Sequence, residues 1–114
     1  RTSLGDSLRS VVYFTADAFD VLYVRQGLHS TREAARRAKS RLVEFEQAVI
    51  DAQPAHGADD EPIGPYEFTV RVHGEGFVVR VLVGERGVLF TTDDMEMEAF
   101  DDAASAVRGL LRDA

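Results

Sequence analysis

At 114 residues the chain has the length of one domain, enough for a single two-layer core and too little for two. Its 45% hydrophobic content excludes disorder by composition, no apolar run approaches the roughly 18 residues of a membrane span, and the lack of cysteine excludes disulfides, thiolate zinc sites and cysteine nucleophiles. Twenty acidic against 13 basic residues leave a net charge of −7, which argues against sequence-independent binding to a nucleic-acid backbone.

Lys39 is the only lysine, all other bases are arginines, and Asp outnumbers Glu. Acid excess with almost no lysine fits a protein kept soluble at very high salt, where like charges are screened. An acidic protein from a GC-rich genome gives a similar balance; the halophilic reading is taken forward. The N-terminus carries no hydrophobic run of the signal-peptide kind, so a cytoplasmic location is expected. The chain opens on Arg1 instead of Met, so at least its first residue is expected to have been removed.

Taken in order, residues 2–9 carry Leu4 and Leu8 one helical turn apart, with Val11 continuing the stripe, and could form a short helix that Gly5 weakens. Residues 10–15 are β-branched and aromatic and read as a strand. A turn over Ala16, Asp17 and Ala18 leads into a second strand over residues 19–25, closed by Gly27. Both faces of that second run are partly apolar, so it is expected to be central or covered on each side.

Residues 29–53 make the clearest helix. Ser30 and Glu33 have capping-box spacing, and Ala35, Ala38, Leu42, Phe45, Val49 and Ala52 form an apolar stripe expected to face the sheet. Pro54 stops the helix. Residues 54–65 hold all three prolines and three consecutive acids, and are expected to be a flexible acidic surface loop within one domain spanning 1–114.

Three strands follow. Tyr66, Phe68, Val70 and Val72 alternate with polar residues, while Phe77, Val79, Val81 and Val83 are expected to point inward with Val78, Arg80 and Leu82 on the other face, and turns fall at His73-Gly74-Glu75-Gly76 and Gly84-Glu85-Arg86-Gly87. Residues 88–92 give the last strand. Asp93 and Asp94 are expected to cap a final helix that buries Phe100, Ala103, Ala104, Val107 and Leu110 or Leu111. The order β-β-α-β-β-β-α predicts an α+β fold: a five-stranded antiparallel sheet with helices packed on one face, a two-layer sandwich. That order resembles the profilin-like, longin-like and PAS-like folds, a likeness of architecture that implies no activity.

At residue level, Leu8, Arg9, Val11, Tyr13, Asp20, Leu22, Tyr23 and Arg25 sit in a pattern of strand, short acidic turn and D-x-L-Y-x-R strand. The segment over residues 5–28 resembles the opening of a family of small haloarchaeal proteins. The resemblance implies lineage and fold, and no reaction.

Few constellations suggest chemistry. His29, His56 and His73 have no metal-ligand spacing, the acidic run after His56 reads as a solvated loop, and the two glycine-bounded turns join strand to strand instead of leading into a phosphate-binding helix. No G-x-S-x-G elbow is present. No catalytic, cofactor or metal residue is therefore expected. Arg32, Arg36, Arg37, Lys39 and Arg41 crowd one helix and form a candidate surface for an acidic protein partner, or a solvated face. No aromatic platform alternates with them, so nucleic acid is disfavoured. Arg71, Val78, Arg80 and Leu82 should share the outer face of the sheet and form a candidate homodimer face. Tyr13, Tyr23, Phe45 and Phe68 would line a ligand pocket between sheet and helix if one exists. The expectation is a non-catalytic interaction or regulatory domain, without cofactor or membrane, that forms a homodimer. The alternative is a PAS-like small-ligand sensor, and an enzyme ranks third.

Overall fold

A computed structural model describes residues 7–28, 31–52, 66–93 and 97–113. Its elements are β1 (Leu8–Thr15), β2 (Phe19–Val24), α1 (Arg32–Ala52), β3 (Thr69–His73), β4 (Gly76–Val83), β5 (Arg86–Thr92) and α2 (Met97–Asp113). The fold is α+β in the expected order β-β-α-β-β-β-α. All neighbouring strands are antiparallel, in the order β2-β1-β5-β4-β3. β2 and β3 are therefore the edges, which corrects the expectation that β2 is central. Its Asp20 and Leu22 are exposed.

Strand periodicity distributes the apolar residues of β4 and β5 to two faces. Val78, Leu82 and Leu89 join Val12 and Phe14 on one face, where Val43 and Ile50 of α1 cover them. Val79, Val81, Val88 and Phe90 lie on the other, against Phe100, Ala103, Ala104 and Leu111 of α2. The two helices thus take opposite faces instead of sharing one, and each builds its own helix-on-sheet layer. Both faces of β4 and β5 are apolar, so one helix alone would leave a face in water. Removing a side chain such as Phe14 or Phe90 from water contributes about 1.5–3 kcal/mol. Leu110 is exposed and Leu111 is buried, which settles the inward side of α2.

The start of β1 departs from the expected helix. Leu8 and Arg9 belong to the strand, with Leu8 opposite Thr92. The register shifts between Leu8 and Ser10, so Leu8 packs with Phe100 on the α2 side while Ser10 meets Thr91 on the other. The β4–β5 connection is only Gly84-Glu85, since Val83 already pairs with Arg86. Gly84 has φ +63° and, among the described residues, no non-glycine residue has positive φ, as a type II′ hairpin turn requires. At β3–β4, His73 pairs with Gly76, again a strand-to-strand turn.

Helix α1 starts one residue later than the capping-box spacing implies. Thr31 Oγ1 accepts the Ala34 N–H at 2.9 Å and caps the helix, while Glu33 pairs with Arg37 at 3.7 Å. The helix is also rotated from its expected phase. Its buried residues are Ala35, Lys39, Val43, Glu46 and Ile50, whereas Ala38 and Phe45 are exposed. Two of those inward positions carry charged residues, so the apolar stripe in the sequence points beside the true contact face. The predicted loop over residues 54–65, Ser30, His29, His56 and Asp94 lie outside the described residues. Among the described residues, no helix is long and apolar enough to cross a membrane.

Candidate functional site

A groove of about 430 Å³ runs between β2 and the first turns of α1. Leu22, Val24 and Gly27 contribute to one wall, and Thr31, Arg32 and Arg36 to the other. Gly27 has φ +86°, a left-handed conformation that favours glycine, in the turn that follows β2. Arg32 and Arg36 are one helical turn apart and exposed. The Arg36 guanidinium stacks 4.2 Å from the Phe19 ring centroid, which holds that cation at the groove. Leu22, at 58% exposure, is one of the most solvated large apolar side chains described. β2 pairs with β1 alone, so its outer edge has no strand partner among the described residues.

The five helix cations do not share one surface. Arg32 and Arg36 flank the groove, Arg37 makes an exposed pair with Glu33, Arg41 is exposed, and Lys39 is buried toward the sheet. Burial lowers the Lys39 ammonium below the ordinary lysine range, and the positive charge of Arg9 adds to that.

Arg71, Val78, Arg80 and Leu82 do share a sheet face, but α1 covers it. Val78 and Leu82 are buried, and both arginines reach Glu46 of the helix: Arg71 Nη2 donates to Oε2 at 2.6 Å and Arg80 Nη1 to Oε1 at 2.9 Å. Arg80 also donates to Thr69 Oγ1 at 2.8 Å, and the Arg71 guanidinium lies 4.4 Å from the Phe45 ring centroid. The proposed dimer face is thus the interior seam between α1 and the β3–β4 hairpin. Alternation alone places both cations on the solvent side, because their carboxylate partner lies in a distant part of the chain.

Tyr13, Tyr23 and Phe68 pack on the α2 side of the sheet, whereas Phe45 projects from α1 on the opposite side. The four do not line a common cavity. Tyr66, expected to point inward with Phe68, is exposed and donates its hydroxyl to the Arg80 carbonyl at 3.1 Å.

A second charge cluster lies where β1, β2 and β5 meet. Arg25 Nη1 reaches Asp93 Oδ2 at 2.7 Å and Arg9 Nη1 reaches Oδ1 at 3.0 Å. Hydrogen bonds from Arg25 first, then Arg9, pull the Asp93 carboxyl down to about 2. Asp93 was expected to cap α2; its carboxylate instead ties β5 to the N-terminal hairpin. Glu46 and Asp93 were not singled out as pairing residues by sequence, although each is an acid placed where apolar or capping patterns account for its neighbours.

A five-stranded open sheet with a helix on each face, and an edge strand beside a cationic helix turn, defines a small α+β domain. The chain matches, over residues 1–112, the family described as domain of unknown function (DUF7522), and it belongs to that family. No curated protein matches it.

Proposed function

We propose that this chain is a non-catalytic interaction domain of a halophilic archaeon's cytoplasm, and that it receives an extended acidic segment of a partner protein along β2. The observation that carries this reading is the groove in which the β2 edge, without a strand partner among the described residues, runs beside Arg32 and Arg36. An edge strand offers alternating N–H and C=O groups that a second strand can pair with. The two arginines supply complementary charge for carboxylates alternating along that strand, and Leu22 supplies an apolar contact. At molar salt the screening length falls to about 3 Å, so only carboxylates in contact with the guanidinium groups are attracted. Backbone pairing then carries affinity and the arginines fix register.

The test is a titration of the protein in molar KCl with a synthetic peptide of alternating Glu and Val, followed by backbone amide NMR. Saturable shifts over residues 20–27 and 31–36, absent with a Lys-Val peptide and lost in Arg32→Glu/Arg36→Glu, support the proposal. Unaltered spectra would sink it. Shifts of the β2 amides that grow with protein concentration alone would replace it with pairing between two copies of this chain.

A further inference from the structure

We propose that a second cleft, between α1 and the β3–β4 hairpin, binds a small tetrahedral oxyanion of the phosphate or sulfate class through Lys39 and Arg9. The cleft has a volume of about 210 Å³ and is lined by Arg9, Lys39, His73, Glu75 and Thr91, among others. It is separate from the β2 groove and does not depend on the peptide reading.

Lys39 is the decisive residue. It is only 6% exposed, yet among the described residues its ammonium has neither an ion pair nor a hydrogen bond. A buried cation without a counter-charge is strongly unfavourable, and buried charges in folded proteins are normally paired. The positive charge of Arg9 also acts on it and adds to the penalty. Arg9 spends one nitrogen on Asp93 and keeps further N–H donors on its planar fork. An oxyanion in the cleft would supply the missing negative charge to both residues and accept charge-assisted bonds from each.

The remaining lining suits the same ligand. Thr91 contributes a hydroxyl, already 2.6 Å from that of Ser10. His73 stands at the exposed end of β3. Glu75 opposes the ligand. Among the described residues it is the only carboxylate in the lining, is exposed on the hairpin turn and makes no ion pair with Lys39. Its charge would limit affinity without filling the buried site. The cleft is small, so it suits a lone oxyanion or a single phosphoryl group and excludes a large ligand body.

The experiment titrates sodium phosphate, then sodium sulfate, into the protein at ionic strength held constant with sodium chloride. Amide NMR and the thermal midpoint are read together. Saturable shifts at residues 73–78 and 91–93, with a rising midpoint, are expected for phosphate or sulfate beyond the chloride background. Lys39→Met should fold, since Met matches its length, and should abolish saturation. Arg9→Gln should weaken binding by about tenfold or more, as loss of one charge-assisted contact does. Glu75→Gln should tighten it. Linear, unsaturating shifts would mean general salt response and overturn the site. Equal affinity in Lys39→Met and the parent would do the same, and if that variant does not fold, equal affinity in Arg9→Gln and the parent overturns it.

Discussion

Glu46, 1% exposed on α1, accepts a hydrogen bond from Arg71 Nη2 of β3 at 2.6 Å, across the interface that the helix makes with the sheet. With Arg80 bonded to its other oxygen, one buried carboxylate holds two guanidinium groups. Removing it leaves both cations against an apolar layer. Glu46→Ala is expected to destabilise the domain by about 3–5 kcal/mol, the usual effect of deleting one partner of a buried ion pair. Replacing Glu46, Arg71 and Arg80 together by Leu, Met and Met is expected to restore most of that loss, because no charge then remains unpaired. Urea unfolding in molar KCl separates the two outcomes.

Lys39 obeys the opposite logic in the anion-free protein, since it has no described partner to lose. Lys39→Met is expected to stabilise the chain at neutral pH by about 1–3 kcal/mol, the desolvation penalty of an unsatisfied buried polar group. The sign of its pH dependence follows from the lowered pKa. Between the folded value and the ordinary 10.5, the unfolded chain binds more protons, so parent stability rises with pH. The advantage of the Met variant therefore shrinks as pH rises toward 10.5. Urea midpoints at pH 7 and pH 10 in phosphate-free buffer measure this.

Asp93 titrates at the other end of the scale. Its carboxyl is held at about 2 by Arg25 and Arg9, below the unfolded value of 3.8. The stability it contributes is complete above 3.8 and is lost as pH falls through about 2. Asp93→Asn is expected to lower the thermal midpoint at pH 6 and to show a shallower decline than the parent between pH 4 and pH 2. Parallel declines in parent and variant would show that the Arg–Asp–Arg junction does not contribute to the acid response.

Gly87 stands opposite Phe14 in the β1–β5 ladder, and its missing side chain makes room for that ring. A Cβ there would lie 2.5 Å from Phe14 Cζ and 2.8 Å from Leu82 Cδ2. Phe14 is fully buried and Leu82 nearly so, which leaves little room to yield. Gly87→Ala is expected to cost about 1–3 kcal/mol through overpacking. Gly109→Ala, in open space on α2, serves as the control and should be neutral or mildly stabilising. Thermal unfolding of the pair distinguishes crowding from backbone effects.

The sequence revealed most of what depends on local periodicity. The alternation in β4 marked a strand, the glycine-bounded turns marked hairpins, and Phe100, Ala103 and Ala104 marked the inward side of α2. What it hid depends on pairings between distant residues. Lys39 and Glu46 occupy the inward stripe of α1, so a reading based on hydrophobicity turned the helix toward Ala38 and Phe45. That misplacement also exposed Arg71 and Arg80 on paper, and with them Val78 and Leu82. The cation-rich stretch was legible, but its division into the groove residues Arg32 and Arg36 and the buried Lys39 was not, because residue type says nothing about rotation around the helix axis. The central or edge position of β2 was equally hidden, since strand order is set by the long-range β1–β5 pairing.

That pairing has a kinetic consequence. β1 meets β2 across a short turn, and β3, β4 and β5 form a continuous meander, so both groups can assemble from neighbours in the chain. The β1–β5 seam, from Leu8↔Thr92 to Thr15↔Arg86, joins opposite ends of the polypeptide. Closing so long a loop adds conformational entropy only slowly with length, but distant contacts delay the rate-limiting encounter. The domain is therefore organised as two quickly formed halves awaiting one slow zipper, and substitutions along that seam should retard refolding more than those within either half.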